Sequence, residues 1–156
     1  MEQGDRDEAM APPAGEPWSL LPHMSTFTRH VGPFFIRHEA LEPGERVRLG
    51  FRVRKHQCNP RDVCHGGMLA SFLDLCLARG LMAEEGGFGS TPTINMTIDY
   101  LAAAPLGAWV ESRVTALHRT RQLGFAQALV LSGGRLLVRG SGTFKRTRPL
   151  SAGGQG

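Results

Sequence analysis

The stretch Asn59-Pro60-Arg61-Asp62-Val63-Cys64-His65-Gly66-Gly67-Met68-Leu69-Ala70-Ser71-Phe72-Leu73-Asp74-Leu75-Cys76-Leu77 decides how this chain reads. It begins as a polar loop, breaks at two adjacent glycines and continues apolar on nearly every side. Met68, Leu69, Phe72, Leu73, Leu75, Cys76, Leu77, Leu81 and Met82 cover too wide an arc for a surface helix, so the pattern predicts a buried one. Gly66 and Gly67 open it, and Gly86-Gly87 predict its end near Glu85, because glycine commonly closes a helix. One carboxylate, Asp74, stands in the middle. Its neighbours three and four positions away are Ala70, Ser71, Leu77 and Ala78, none of them cationic, so no local ion pair neutralises it. An ionised carboxylate in an apolar setting is costly unless something pairs with it or uses it.

Outward from the helix, the pattern changes to a period of two. Val47, Leu49, Phe51 and Val53 alternate with Arg48, Gly50, Arg52 and Arg54, which predicts a half-buried strand with a basic outer face. Phe34 to Ile36 is a shorter strand, and Trp18 to Pro22 reads as a turn of helix. Beyond the helix, Ile94, Met96, Ile98 and Tyr100 alternate against Thr93, Asn95, Thr97 and Asp99. Trp109 to His118, Leu123 to Leu131 and Leu136 to Lys145 follow, with Ser132-Gly133-Gly134-Arg135 as a hairpin signal. The expected fold is α+β, two strands, one long helix and a four-stranded meander, with the sheet wrapped around the helix. Edge strands in such a sheet need covering or pairing, which predicts a homodimer with a continuous sheet. A single domain over residues 18–148 is expected, between a disordered N-terminal tail of residues 1–17 and a flexible C-terminal tail of residues 149–156.

Composition narrows the classes. The formal charge of +4 comes from scattered arginines, and no basic stripe interleaved with aromatics or zinc-finger spacing points to nucleic acid. A modest positive excess suits an anionic small molecule better. Three cysteines argue against a disulfide framework and for a reducing compartment. Cys58, Cys64 and His65 do not complete four ligands, so no metal is expected. No apolar run approaches the roughly 20 residues of a membrane span, and the N-terminus lacks the hydrophobic region of a signal peptide. A cytoplasmic protein without a membrane partner is the expectation.

The chemistry concentrates in the loop and helix. The first N–H groups of a helix have no intrahelical partner, and with the helix dipole they offer donors to an oxygen that carries or develops negative charge. Aimed at a carbonyl, the N–H groups of Gly66 and Gly67 would make an oxyanion hole; the alternative is a tight loop-to-helix joint. Asp74 lies about two and a half turns further on and does not reach a ligand held at its own helix N-terminus. If it acts as base or nucleophile, it acts in a site shared with a second subunit. Asn59 offers an amide to hold a water or carbonyl, or simply forms a turn before Pro60. His65 adjoins the glycines without a visible orienting carboxylate, which favours a hydrogen-bonding role beside the oxyanion donors. No Gly-x-Ser-x-Gly elbow is present, which argues against a serine hydrolase.

The constellation Asn59-x5-His65-Gly66-Gly67-x6-Asp74, followed by a long helix and Thr93-Ile94-Asn95-Met96-Thr97-Ile98-Asp99-Tyr100, resembles the hotdog-fold acyl-CoA thioesterases of the PaaI-like (4-hydroxybenzoyl-CoA thioesterase) superfamily. The likeness runs from Phe34 to Lys145. It implies edge-to-edge dimers, often assembled into homotetramers, with active sites at the dimer interface and no cofactor or metal. Carried over, Asp74 would activate water or attack the thioester. Gly66 N–H of the other subunit would polarise the carbonyl, Asn59 would position the water or thioester, and His65 would support them. Thr93, with Thr91 as alternative, matches the hydroxyl residue that orients the water. Gly67 would face the substrate. Arg119, Arg121, Lys145 and Arg146 are candidates for the coenzyme A phosphates. A non-catalytic acyl-CoA sensor and a hydratase on the same fold are the competing readings; the sensor lacks a DNA-binding segment here, and the hydratase uses a different loop motif.

Overall fold

The computed structural model describes residues 11–39, 47–83 and 90–147. Among the described residues, seven strands form one sheet: β1 (Ser19–Leu20), β2 (Phe35–His38), β3 (Val47–Arg52), β4 (Thr93–Tyr100), β5 (Trp109–Arg119), β6 (Leu123–Ser132) and β7 (Arg135–Lys145). A short helix α1 (Thr26–Val31) precedes β2, and α2 (Gly66–Ala83) is the long helix the glycines open. Its predicted end near Glu85 and the glycines beyond lie outside the described residues.

Every strand pairing is antiparallel, and the order across the sheet is β1-β2-β3-β5-β6-β7-β4. This corrects the four-stranded meander. Only β5, β6 and β7 run as a meander; β4 pairs with β7 and forms the far edge. All four strands alternate alike, so periodicity alone does not say which neighbours which. Trp18 to Pro22 is not a turn of helix either. Ser19 and Leu20 pair with Ile36 and Phe35, because β2 offers its free side to an extended segment. Ahead of β1, Arg52 donates to the Ala11 carbonyl from Nε at 3.0 Å and from its terminal nitrogen at 2.9 Å.

The sheet curls around α2. Phe72 stacks on Phe34 with centroids 5.7 Å apart and meets Phe51 edge-on at 4.7 Å. Leu69, Leu73, Cys76, Leu77 and Leu81 complete the same buried stripe against Val110, Val114, Ala126, Val130, Val138 and Phe144. Fully burying such side chains contributes about 1.5–3 kcal/mol each, which makes this layer the main source of stability. At 18 residues and a mean hydropathy of 1.3, α2 passes for a membrane-crossing segment by length and composition, unlike the sequence expectation; its stripe serves the core of the sheet.

The opposite side of α2 is not covered. Ala70, Ser71, Asp74, Leu75 and Ala78 are only half-buried, so the helix predicted to be buried all round is buried on one face.

Candidate functional site

The two ends of the site lie on two structures, the loop before α2 and the middle of α2. In the loop, Asn59 folds onto itself: its Oδ1 accepts from Arg61 N–H at 2.9 Å and Val63 N–H at 3.4 Å. That is the turn-forming role, and it fixes the amide plane. No acceptor among the described residues meets Asn59 Nδ2, so that nitrogen is an oriented donor. The loop is closed behind it by Asn59 N–H to Val63 O at 2.8 Å and by His65 N–H to Gln57 O at 2.8 Å. Buried Gln57 ties the loop to α1 through its Nε2, which donates to Val31 O at 2.6 Å.

His65 caps the helix. Its Nδ1 accepts from Gly67 N–H at 2.9 Å, while its carbonyl accepts from Met68 and Leu69 N–H. A backbone N–H only donates, so Nδ1 carries no proton here and the ring is held by its lone pair. Gly67, expected to face substrate, has its N–H taken by its neighbour. Gly66 N–H is left as the first-turn donor with no partner among the described residues. Tyr100 secures that turn from outside: its hydroxyl donates to Gly66 O at 3.0 Å. The chain has a single tyrosine, ending a strand that leads back to the glycines, and the sequence shows it only as a member of the β4 alternation, with no sign of this contact.

The partner Asp74 lacks on its own helix comes from β4. Thr93 Oγ1 donates to Asp74 Oδ1 at 2.6 Å. A plain alternation would point Thr93 outward with Asn95, Thr97 and Asp99. The register shifts between Thr93 and Asn95, so Thr93 stands opposite Phe144, whose side chain is fully buried. This bulge turns Thr93 to the helix side; bulges re-aim side chains in this way. Asp74 is half-buried, not enclosed, on the wall of an open groove of about 440 Å³. Ser25, Phe27 and Thr28 form one wall, Ala70, Ser71, Leu75 and Ala78 the floor, and Met96 the edge beside β4. The helix α1 that supplies the first wall is capped by Ser25, whose Oγ accepts from Thr28 N–H at 3.2 Å.

Asp74 and Gly66 of one chain do not meet. Eight residues of helix separate them, about 12 Å at 1.5 Å per residue. Arg119 shares the cross-strand row Thr93–Phe144–Gly124–Arg119, three strands from Thr93 and so about 14 Å along the sheet. Arg121 follows in the β5–β6 turn, and Arg146 N–H bonds Gln122 O at 2.7 Å, so these cations and Lys145 gather at the Thr93 end. Thr91 precedes β4 outside the Asp74 contact. Among the described residues, no three His, Cys, Asp or Glu side chains cluster as a metal site requires.

A glycine-opened central helix, a carboxylate at its middle and a hydroxyl on the next strand are now placed on a curled antiparallel sheet. The sequence pattern of the thioesterase superfamily matches residues 62–138, from the loop to β7. The chain belongs to the hotdog-fold thioesterase superfamily. A Pseudomonas aeruginosa protein named "Putative esterase PA0474" is 27% identical over 114 residues, covering 73% of this chain and 83% of that protein. A variant of the phenylacetic acid degradation protein PaaI from Thermus thermophilus is 24% identical, covers 79% of this chain and 100% of its own, and superposes with a TM-score of 0.63. A thioesterase from Streptococcus pneumoniae, solved with coenzyme A and named as hypothetical, is 20% identical over 74% of this chain and 88% of its own, with a TM-score of 0.65.

Proposed function

We propose that this thioesterase-superfamily chain hydrolyses acyl-CoA thioesters to the free acid and coenzyme A, with Asp74 as base in a site shared by two copies. The observation that carries the reading is Asp74 held by Thr93 on the wall of an apolar groove. Thr93 engages Oδ1, which leaves Oδ2 to accept from a water. The groove's Phe27, Leu75, Ala78 and Met96 suit an acyl chain. The coenzyme A bound to the Streptococcus pneumoniae relative supports that carrier.

The second half of the site comes from the edge strand. Thr93 and Tyr100 stand at opposite ends of β4, about 23 Å apart by strand rise. Two β4 edges paired antiparallel about a two-fold axis lay the Thr93 end of one chain beside the Tyr100 end of the other. Gly66 N–H of the second copy then lies near Asp74 of the first. Asp74 takes a proton from water as its oxygen attacks the thioester carbon. The carbonyl oxygen gains charge and is held by Gly66 N–H and Asn59 Nδ2. The carbon–sulfur bond breaks, and the coenzyme A thiolate leaves and is protonated. One well-placed oxyanion donor is worth roughly 3 kcal/mol of barrier. Arg119, Arg121, Lys145 and Arg146 would meet the phosphates, and further pairing of dimers gives the homotetramer.

The test is release of free coenzyme A from short, medium, long and aromatic acyl-CoA thioesters by wild type and Asp74→Asn. Asparagine keeps the shape and the Thr93 contact, so folding is checked in parallel by circular dichroism. The expected loss is about a hundredfold or more, typical of a positioned base. Binding of the thioesters without turnover by wild type would replace this reading with a non-catalytic acyl-CoA-binding protein.

A further inference from the structure

The loop that carries Asn59 is flanked by two thiols that the proposed hydrolysis does not use. Cys58 and Cys64 are direct partners in an isolated antiparallel bridge. The hydrogen bonds around it fix the kind of pair: Asn59 N–H reaches Val63 O at 2.8 Å, and His65 N–H reaches Gln57 O at 2.8 Å. Both bonds lie outside the Cys58–Cys64 pair, one residue along on either side, so the two cysteines form the non-hydrogen-bonded type of pair. That type brings the Cα atoms to about 4.5 Å with both side chains on one face. Disulfides need Cα separations of about 4.4–6.8 Å, so the backbone already stands where a bond requires it.

We propose that Cys58 and Cys64 are a reversible redox pair whose disulfide clamps the Asn59 loop. Both thiols are free in this structure and turned aside, Cys58 Sγ toward Arg54 O at 3.2 Å and Cys64 Sγ toward His65 O at 3.9 Å. Rotation about each Cα–Cβ bond brings them together. The oxidant is a small disulfide such as oxidised glutathione. Cys58, the half-exposed member, attacks it as thiolate, forming a mixed disulfide and releasing one reduced glutathione. Cys64, deprotonated as it reacts, then attacks the Cys58 sulfur, closing the ring and releasing the second. Two protein thiols are oxidised and one glutathione disulfide is reduced.

The order of attack follows from burial, which pushes the Cys64 thiol up to about 12 and the Cys58 thiol up less. Exchange is therefore slow, and the pair answers to the standing redox poise and not to a brief pulse of oxidant. Cys76, buried in α2 beside Ser112 of β5, has no thiol partner of this kind. The exchange needs no thioester reaction, so its test is separate from the assay of Asp74→Asn.

Arg61 lies within the ring, exposed, and supplies the diagnostic. The full chain is equilibrated in glutathione buffers from fully reduced to fully oxidised, acid-quenched, alkylated and digested with trypsin. Oxidised protein is expected to lose two hydrogens and no more. Cleavage after Arg61 should leave the Cys58 and Cys64 peptides joined until dithiothreitol separates them, and fragmentation distinguishes Cys64 from Cys76. Cys58→Ser should remove the linked species completely while keeping the wild-type circular dichroism. The proposal is overturned if all three thiols stay reduced in the oxidised buffers, if Cys58 stops at a glutathione adduct, or if Cys76 replaces either partner.

Discussion

The two edges of the sheet are built in opposite ways. At one edge β1 is only two residues long, and the segment before it lies over the neighbouring strands. Trp18 meets Trp109 edge-on at 5.0 Å, the Arg37 guanidinium sits 5.1 Å from the Trp18 ring, and Glu16 pairs with Arg37. At the other edge β4 runs for eight residues with no strand on its outer side among the described residues and with Ile94 and Tyr100 half-exposed. A short, covered edge resists pairing; a long apolar one invites it. The edge left open also holds Thr93 and, next to it, Asp74. Among the described residues, the chain thus covers the edge remote from Asp74 and leaves open the one beside it.

The largest effect should come from a matched pair of substitutions. Leu20 on β1 is 59% exposed and Ile94 on β4 is 58% exposed, so a lone chain gives little reason to rank them. If β4 pairs with a second copy, Ile94→Lys loses the burial of one aliphatic side chain and weakens association about 10- to 100-fold. Sedimentation velocity across a dilution series should show monomer appearing at correspondingly higher concentration. Leu20→Lys should leave the distribution where it is. Equal behaviour of the two would end the distinction between the edges.

A smaller effect tests why β4 carries a bulge. Thr93→Val keeps the shape and removes the donor to Asp74. Asp74 is only half-buried, so this hydrogen bond to a charged group is worth the lower end of the usual range, about 1.5 kcal/mol, and turnover should fall roughly tenfold. Asn95→Ala, on the outer face one residue past the bulge, should change turnover little in the same assay. A loss at Asn95 as large as at Thr93 would show that strand integrity and not the hydroxyl was at stake.

These residues also mark how far the sequence carries. The helix, its glycine start and most strands were legible, because periods of 3.6 and two are local properties. The pairing of β4 with β7 was not, since register depends on contacts distant in sequence. The direction of Thr93 was misleading: simple alternation places it outward, and only the bulge opposite Phe144 reverses it. Asp74 looked buried because every neighbour along α2 is small or apolar. In the single chain that face is an open groove, where Leu75, Ala78 and Met96 pack on the core from its margin and stay half-buried. The short α1 was missed although Ser25 is a good helix cap; six residues are too few for a period to show.

The last contrast concerns how each half of the sheet packs on glycine. A side-chain carbon at Gly140 on β7 would come within 2.5 Å of Leu73 Cδ2 and within 2.5 Å of the Thr97 carbonyl oxygen on β4. Leucine has a little freedom to turn, but the β4 backbone does not move without breaking its ladder to β7. At Gly50 on β3 the same carbon would meet the Trp109 ring at 2.3 Å. That ring lies on the outer face, half-buried between Trp18 and Phe35, and these half-buried neighbours rather than the fully buried core would shift with it. Gly140→Ala should therefore cost about 2 kcal/mol, lowering the melting temperature by roughly 4–8 °C, as overpacking of a fixed core does. Gly50→Ala should cost about 1 kcal/mol or less, and the change should show as altered Trp109 fluorescence rather than as lost stability. Thermal melts of the two variants decide the matter. If Gly50→Ala proves the more damaging, the covered edge is the rigid one, and β4 has the freedom to shift that the Gly140 contacts argue against.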